Sequence, residues 1–237
     1  MNKLPNNIAI IMDGNRRWSK VRGLSYLAGY KKGAKILKNT VLKCINLGIK
    51  ELTVFAFSTE NFNRTPDEVK TLLGLLEYYL KSEIAELNYQ KINLNIIGKK
   101  SSLNNKLLDL FSYSENLTKH NTGMKFNVAI NYGGKFDIIH TIKKISSLVE
   151  TKKISIDDID ETLVYKNLLS SKVKNIDLLI RTSGEQRISN FMFWQLAYSE
   201  LYFTDVCWPD FSDSELDKAL SFYNSRQRSF GSSLYYK

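Results

Sequence analysis

"NIAIIM" (residues 7–12) runs without a break into "DGNRRW" (13–18). The first half is apolar everywhere but Asn7, as a strand covered on both faces requires. The second half ends the run with a carboxylate, a glycine, an amide, two arginines and a tryptophan. A buried strand that stops in a cluster of charge points to a parallel α/β sheet, which gathers its ligands at the carboxyl ends of its strands.

The pattern repeats along the chain. "ELTVFAF" (51–57), "INLNIIG" (92–98), "KFNVAIN" (125–131) and "IDLLIR" (176–181) read as further strands, with "ELYFTDV" (200–206) as a last candidate. Between them, residues 30–47 place Ala34, Leu37, Val41 and Cys44 at helical spacing, and Gly48 is suited to end that helix. Pro66-Asp67-Glu68 opens a long helix, with proline and acids in its first turn. Val69, Leu72, Leu73, Leu76, Leu80, Ile84 and Leu87 line one side of it. Helices are also expected near 102–119, 135–150 and 212–227, with a loop and a short helix before "IDLLIR". Alternating β and α units imply one α/β domain over 1–237, a mainly parallel central sheet flanked by helices. A chain of 237 residues, 43% hydrophobic, can bury such a core.

Lysine and arginine total 34 against 24 acids, a formal charge of +10. Such a balance favours an anionic partner: diphosphate groups, nucleic acid or an acidic membrane surface. Cys44 and Cys207 are far apart with no CxxC, and His120 and His140 are isolated. That argues against a disulfide framework, a zinc site and a histidine triad. The N-terminus lacks a signal-peptide core, and no apolar run nears the ~20 residues of a spanning helix, so a cytoplasmic protein is expected.

Three polar loops begin where apolar strands end: "DGNRRW", "STENFNR" (58–64) and "RTSGEQRIS" (181–189). If their strands are neighbours, Asp13, Arg16, Arg17, Ser58, Glu60, Asn61, Arg64, Arg181, Arg187 and Ser189 share one edge. Arginine forks match phosphate oxygens. Mg2+ typically takes one or two carboxylates plus substrate phosphate oxygens. The expectation is diphosphate chemistry with Mg2+. Ion pairs and helix caps would explain one such loop, but three at equivalent strand ends favour a site. There is no GxxxxGK[ST] or GxGxxG. An aspartate-nucleophile phosphatase would carry Asp-x-Asp, and Asn15 stands there instead. "DDIDE" (157–161) resembles the aspartate-rich motif of all-helical trans-prenyltransferases, but one imperfect copy in a strand-rich chain reads as a helix-opening acidic cluster.

"IAIIMDGNRRW" (8–18), "FAFSTENFNR" (55–64), "NVAINYGG" (127–134) and "IDLLIRTSGEQRISNFMFWQLAYSELYFTDVCWPDF" (176–211) resemble the cis-prenyltransferase family, colinearly over nearly the whole chain. The resemblance implies a homodimer, a central mainly parallel sheet and an apolar product tunnel, for which the 67–88 helix is the candidate wall. It implies Mg2+-dependent extension of an allylic diphosphate, typically farnesyl diphosphate, by isopentenyl diphosphate units with new cis double bonds. The product would be a long-chain polyprenyl diphosphate (undecaprenyl diphosphate in bacterial members), precursor of the lipid carrier for peptidoglycan sugars. Peripheral contact with the inner face of the membrane would follow. Nucleic acid is not expected, since no recognised motif for it appears.

By the same resemblance, Asp13 matches the catalytic, Mg2+-linked aspartate, and Gly14, Asn15, Arg16 and Arg17 the cradle of the allylic diphosphate. Trp18 matches an aromatic beside the prenyl chain. Ser58, Thr59, Glu60 and Asn61 match the next motif. Asn61 holds the position assigned to proton removal, and since an amide is a poor base, positioning or relay suits it better. Phe62 replaces a tryptophan. Arg64 matches a substrate contact. Arg181, Arg187, Ile188 and Ser189 match the isopentenyl diphosphate segment. Glu200 matches a second Mg2+ ligand contributed across the dimer.

Besides Phe62, the chain departs from the family in three places. Tyr26 and Tyr30 replace an arginine and a histidine that assist diphosphate binding, with Arg22, Lys31 and Lys32 the nearest compensating charges. Ser229 replaces an arginine of the isopentenyl diphosphate site, with Arg228 adjacent. These losses leave a second reading open, a non-catalytic homologue acting as a structural or regulatory partner. Retention of Asp13, Asn61, Arg181, Arg187 and Glu200 argues for the enzyme.

Overall fold

A computed structural model describes residues 4–227. Strands β1 (Asn7–Ile11), β2 (Glu51–Ser58), β3 (Asn93–Ile97), β4 (Lys125–Tyr132), β5 (Leu178–Arg181) and β6 (Glu200–Phe203) form one sheet in the order β3-β4-β2-β1-β5-β6. Every pairing is parallel. Helices α1 (Asn15–Val21), α2 (Tyr26–Asn46), α3 (Pro66–Tyr89), α4 (Asn105–Thr118), α5 (Gly134–Glu150) and α6 (Glu161–Asn167) lie in the connections before β5, α7 (Asp213–Ser225) follows β6, and the link from β5 to β6 carries no α-helix.

All five β1 residues are buried, and alternate ones serve opposite cores. Ile8 and Ile10 pack with Leu52, Val54, Leu178 and Ile180 against Val41 of α2, Ile84 of α3, Phe111 of α4 and Leu216 of α7. Ala9 and Ile11 face the other way, toward Leu179, Val173, Phe191 and Met192. This two-sided burial is why the run 7–12 shows no polar alternation.

The helix ends follow local chemistry. Gly48, at φ +75°, closes α2: its N–H donates to Ile45 O and that of Ile49 to Cys44 O, the paired bonds of a glycine-terminated helix. Pro66 is the first residue of α3, with Asp67 and Glu68 in its first turn. In "DDIDE", Asp158 closes a capping box with Ser155 and Asp160 accepts from the Leu163 N–H, opening α6.

Some bounds differ from expectation. The segment after Asp13 is not all loop, because α1 begins at Asn15. Its N-cap is Gly14, without a side-chain cap bond, so the usual Ser, Thr, Asp or Asn signal is missing. β6 ends at Phe203 rather than continuing to Val206. Both cysteines are free, and burial pushes the Cys44 thiol up to about 12. Among the described residues no helix is long and apolar enough to cross a membrane. Ser229 and Arg228 lie outside the described residues.

Candidate active site

β2, β1 and β5 are consecutive in the sheet, so the three loops that follow them meet over its carboxyl edge. They surround a cleft of about 890 Å³. Asp13 leaves β1 at its mouth. The Asp13 carbonyl oxygen accepts from Thr182 Oγ1 (2.7 Å) and the Trp208 N–H (2.9 Å). Its carboxylate accepts from the Gly14 N–H at Oδ1 (2.8 Å) and from the Arg181 guanidinium at Oδ2 (2.9 Å). The turn requires glycine at 14: φ is +99°, and a Cβ would meet Cys207 Sγ and the Ser183 side chain at 2.9 Å.

The arginines are held in place by other groups. Arg181 also donates to Ser189 Oγ (2.6 Å) and to the Arg187 carbonyl. Arg17 donates to Ser183 O (2.6 Å) and Glu185 Oε1 (2.8 Å), and Arg187 donates to Glu185 Oε2. The hydrogen bonds from Arg17 and then Arg187 hold the Glu185 carboxyl below its usual range. Glu68, at the start of α3, accepts from both Arg16 (3.1 Å) and Arg64 (2.9 Å). Arg64 also donates to the Tyr30 hydroxyl at 2.7 Å. Tyr30, where the resemblance expects a histidine, thus presents its hydroxyl oxygen to an arginine. Burial weakens the Arg64 cation, but Tyr30 and Glu68 outweigh it and raise its pKa.

Of the expected residues, Asp13, Gly14, Asn15, Arg16, Arg17, Tyr30, Ser58, Glu60, Asn61, Arg64, Arg181 and Ser189 line the cleft. Asn61 Oδ1 accepts from the Ser58 N–H (3.0 Å), closing the turn that follows β2. Thr59, Phe62, Arg187, Ile188, Tyr26, Trp18 and Glu200 do not line it. Thr59 Oγ1 donates to Glu60. Phe62 packs edge-on against Phe57, and Ile188, like Phe55, packs against the core cluster that holds Ala9, Ile11 and Leu179. Tyr26 sits edge-on to Tyr30. Trp18 turns toward Asp210, to which its indole N–H donates (2.7 Å), with Arg22 stacked on its ring. Arg22 is thus paired away from the cleft, as its contact with Asp210 also shows.

Glu200 begins β6, in register with Leu178, whereas Arg181 is in register with Phe203. Three strand residues at about 3.3 Å each put it roughly 10 Å below the edge that carries Asp13. Within one chain it is paired with Arg226 (3.2 Å). Among the described residues no group of three metal-ligating side chains occurs. Asp13, half exposed and facing the cleft, is a hard oxygen donor suited to an ion whose other ligands are phosphate oxygens and water, which is how Mg2+ binds.

Deeper in, the cleft turns apolar. Ala34 and Leu37 of α2, Phe55 and Phe57 of β2, and Leu72, Leu75, Leu76 and Tyr79 of α3 line it. The apolar side of α3 is thereby divided: Leu72 and Leu76 face the cleft, and Ile84 is buried in the core. Sequence reading missed Leu75, Tyr79, Glu68, Asn190 and Trp208. The Trp208 indole N–H donates to Gly33 O (2.9 Å). A Cβ at Gly33 would collide with Asn15 Oδ1, which marks the close approach of α2 to the start of α1.

A family model described as "Putative undecaprenyl diphosphate synthase" matches residues 11–231. The ditrans,polycis-undecaprenyl-diphosphate synthase ((2E,6E)-farnesyl-diphosphate specific) of Aliivibrio fischeri is 45% identical over 96% of this chain and 89% of its own. An isoprenyl transferase of Prochlorococcus marinus subsp. pastoris is 47% identical over 97% of this chain and 84% of its own. In structure, the chain is similar to lavandulyl diphosphate synthase from Lavandula x intermedia, solved with dimethylallyl diphosphate. The TM-score is 0.93 at 43% identity, over 96% of this chain and 98% of that one. A probable undecaprenyl diphosphate synthase from Campylobacter jejuni aligns with TM-score 0.80 at 30% identity, over 98% of this chain and 100% of that one.

Proposed function

The chain belongs to the undecaprenyl diphosphate synthase family of prenyltransferases, and on that premise we propose that it condenses isopentenyl diphosphate units in cis onto an allylic diphosphate. Farnesyl diphosphate is the starter named for relatives and undecaprenyl diphosphate their product, and both are taken for this chain. The observation that carries the reading is the Asp13–Arg181 pair at the mouth of a cleft that is cationic outside and apolar within. That arrangement suits a substrate with an anionic head and a hydrocarbon tail.

Arg16, Arg17 and Arg64 lie where they can grip the allylic diphosphate, exchanging their carboxylate partners for phosphate oxygens. Arg181 and Ser189 would hold the isopentenyl diphosphate beside it, making attack by its double bond effectively intramolecular. The same guanidinium groups stabilise charge on the departing diphosphate. Asp13 would hold Mg2+, which when bound supplies further neutralisation of that leaving group. Leu37, Leu72 and Leu76 keep water from the growing chain. Asn61, locked to the Ser58 N–H, orients the proton-losing end rather than acting as the base. Homodimerisation, a Glu200 contribution across the dimer and peripheral membrane contact belong to the same proposal.

The test is incorporation of radiolabelled isopentenyl diphosphate into extracted polyprenyl products, with farnesyl diphosphate, with and without Mg2+. Mg2+-dependent long-chain product supports the reading. No product from any of several allylic starters, with folded protein, would turn the assignment to a non-catalytic homologue.

A further inference from the structure

Between Ser189 and Met192 the backbone is bent against its preferences. Ser189, Asn190 and Met192 have φ of +45°, +63° and +41°, the left-handed region that a Cβ disfavours. Asparagine tolerates it better than most residues. The bend delivers Ser189 Oγ to Arg181 and turns Asn190 toward the start of α5.

There the Gly134 N–H donates to the Asn190 carbonyl oxygen (2.7 Å), and the Lys135 N–H to its Oδ1 (2.8 Å). These are the first N–H groups of α5, whose N-cap, Gly133, has no side chain to satisfy them. Glycine at 133 permits the approach, since a Cβ would meet Asn190 Nδ2 and Thr59 Oγ1 at 2.7 Å. An N–H can only donate, so Oδ1 must face Lys135, and the other end of the amide is thereby oriented. That end, Nδ2, donates to Glu60 Oε1 at 2.6 Å.

Glu60 and Asn190 both line the cleft. Burial pushes the Glu60 carboxyl up. Hydrogen bonds from Asn190, from its own backbone N–H and from Thr59 and Ser58 outweigh that and hold it below its usual range. Glu60 lies in the same short turn as Asn61, while Asn190 follows Ser189. The bond therefore ties the loop after β2 to the loop after β5, across 130 residues of chain.

We propose that Asn190 is a positioning residue for the transferase reaction: oriented by the start of α5, it holds Glu60 as a fixed anion and locks the Ser58–Asn61 turn to the Arg181–Ser189 loop. This rests on the transferase reading above.

Asn190→Asp tests it. The aspartate keeps an oxygen for the Lys135 N–H but sets a second carboxylate oxygen against Glu60, and two carboxylates in contact share a proton. Two readouts are taken on Asn190→Asp, Asn190→Ala and the unaltered chain: the 13C titration of the Glu60 carboxyl, and kcat against pH. We expect the Glu60 midpoint to rise in both variants, and further in Asn190→Asp. The kcat of Asn190→Asp should fall on the order of tenfold at pH 8 and recover as the pH is lowered, whereas Asn190→Ala stays low throughout.

A role confined to capping α5 predicts otherwise, because aspartate caps a helix as well as asparagine. An unshifted Glu60 midpoint, or unaltered kcat in both variants, overturns the proposal. If Asn190→Asp does not fold, the Asn190→Ala titration decides. An inactive unaltered chain would sink the transferase reading, while the Glu60 titration would still test the pairing.

Discussion

Arg181 and Asp13, 168 residues apart in the chain, meet at 2.9 Å, and their exposures are unequal. The arginine side chain is 4% exposed and the aspartate 42%. A cation buried that deeply depends on its acceptors, and Arg181 is anchored by Ser189, the Arg187 carbonyl and Asp13. Asp13 keeps an open side toward the cleft.

Asp13→Ala should abolish turnover, lowering kcat by at least about a hundredfold, and should also lower stability, since Arg181 keeps only Ser189 and the Arg187 carbonyl as acceptors. The Asp13 backbone contacts to Thr182 and Trp208 use its carbonyl oxygen and survive the change. Steady-state kinetics beside a far-ultraviolet circular dichroism spectrum check this, and full activity would remove Asp13 from the mechanism.

Arg181→Lys should raise the KM for isopentenyl diphosphate on the order of tenfold, with folding retained. The planar fork reaches Asp13, Ser189 and the Arg187 carbonyl together, and a single ammonium cannot span them. Initial rates at varied isopentenyl diphosphate measure it. An unchanged KM would place that diphosphate elsewhere.

Tyr30→Phe removes the 2.7 Å bond to Arg64 and leaves Glu68 as its remaining partner among those named. The expected result is a severalfold rise in KM for the allylic diphosphate, with kcat little altered, because one orienting bond is worth about 1 kcal/mol. If KM does not move, the phenol is not a substitute for the charge lost at this position.

Gly14→Ala should destabilise the chain by roughly 1–3 kcal/mol, from a left-handed φ and from contacts at 2.9 Å. Urea denaturation followed by tryptophan fluorescence reads this directly. Activity should fall too, since Asp13 Oδ1 is held by the Gly14 N–H.

Glu51 is 3% exposed at the start of β2, and burial raises its pKa in spite of bonds from Asn127 and the Lys174 N–H. A carboxyl raised on folding binds more protons in the folded chain. Its contribution is therefore full below the unfolded value of about 4.3 and lost as pH rises through the folded one. Glu51→Gln should escape that loss. It should be more stable than the unaltered chain at pH 7, with the difference shrinking by pH 4, as judged by paired urea melts at both pH values. A difference that is the same at both would deny the shift.

Much of this was legible along the chain because apolar runs, glycine caps and Pro-Asp-Glu starts are local signals. β1, β2, α2 and α3 were all visible in that way. Helix α1 was not, since its cap is a glycine in left-handed conformation and its faces lack an apolar stripe. Tyr79 and Leu75 were passed over because the apolar side of α3 serves two purposes, core and cleft, that share one periodicity. Asn190 lies within the quoted 176–211 stretch but was not singled out, because its bend and its contacts with Glu60 and the start of α5 join segments distant in the chain.

Local sequence was enough to establish a parallel α/β sheet, three polar loops at strand ends and an inventory of arginines around Asp13, because covalent neighbours dictate strand, helix and turn. Strand order was settled only in space, by which apolar faces fit together. That order puts β2, β1 and β5 side by side and makes one cleft of three loops. Packing likewise sends Arg22 and Trp18 to Asp210, gives Tyr30 to Arg64 and sets Asn190 on Glu60. Each of these is a contact between groups remote in the chain, fixed by how the layers pack and written in no single stretch.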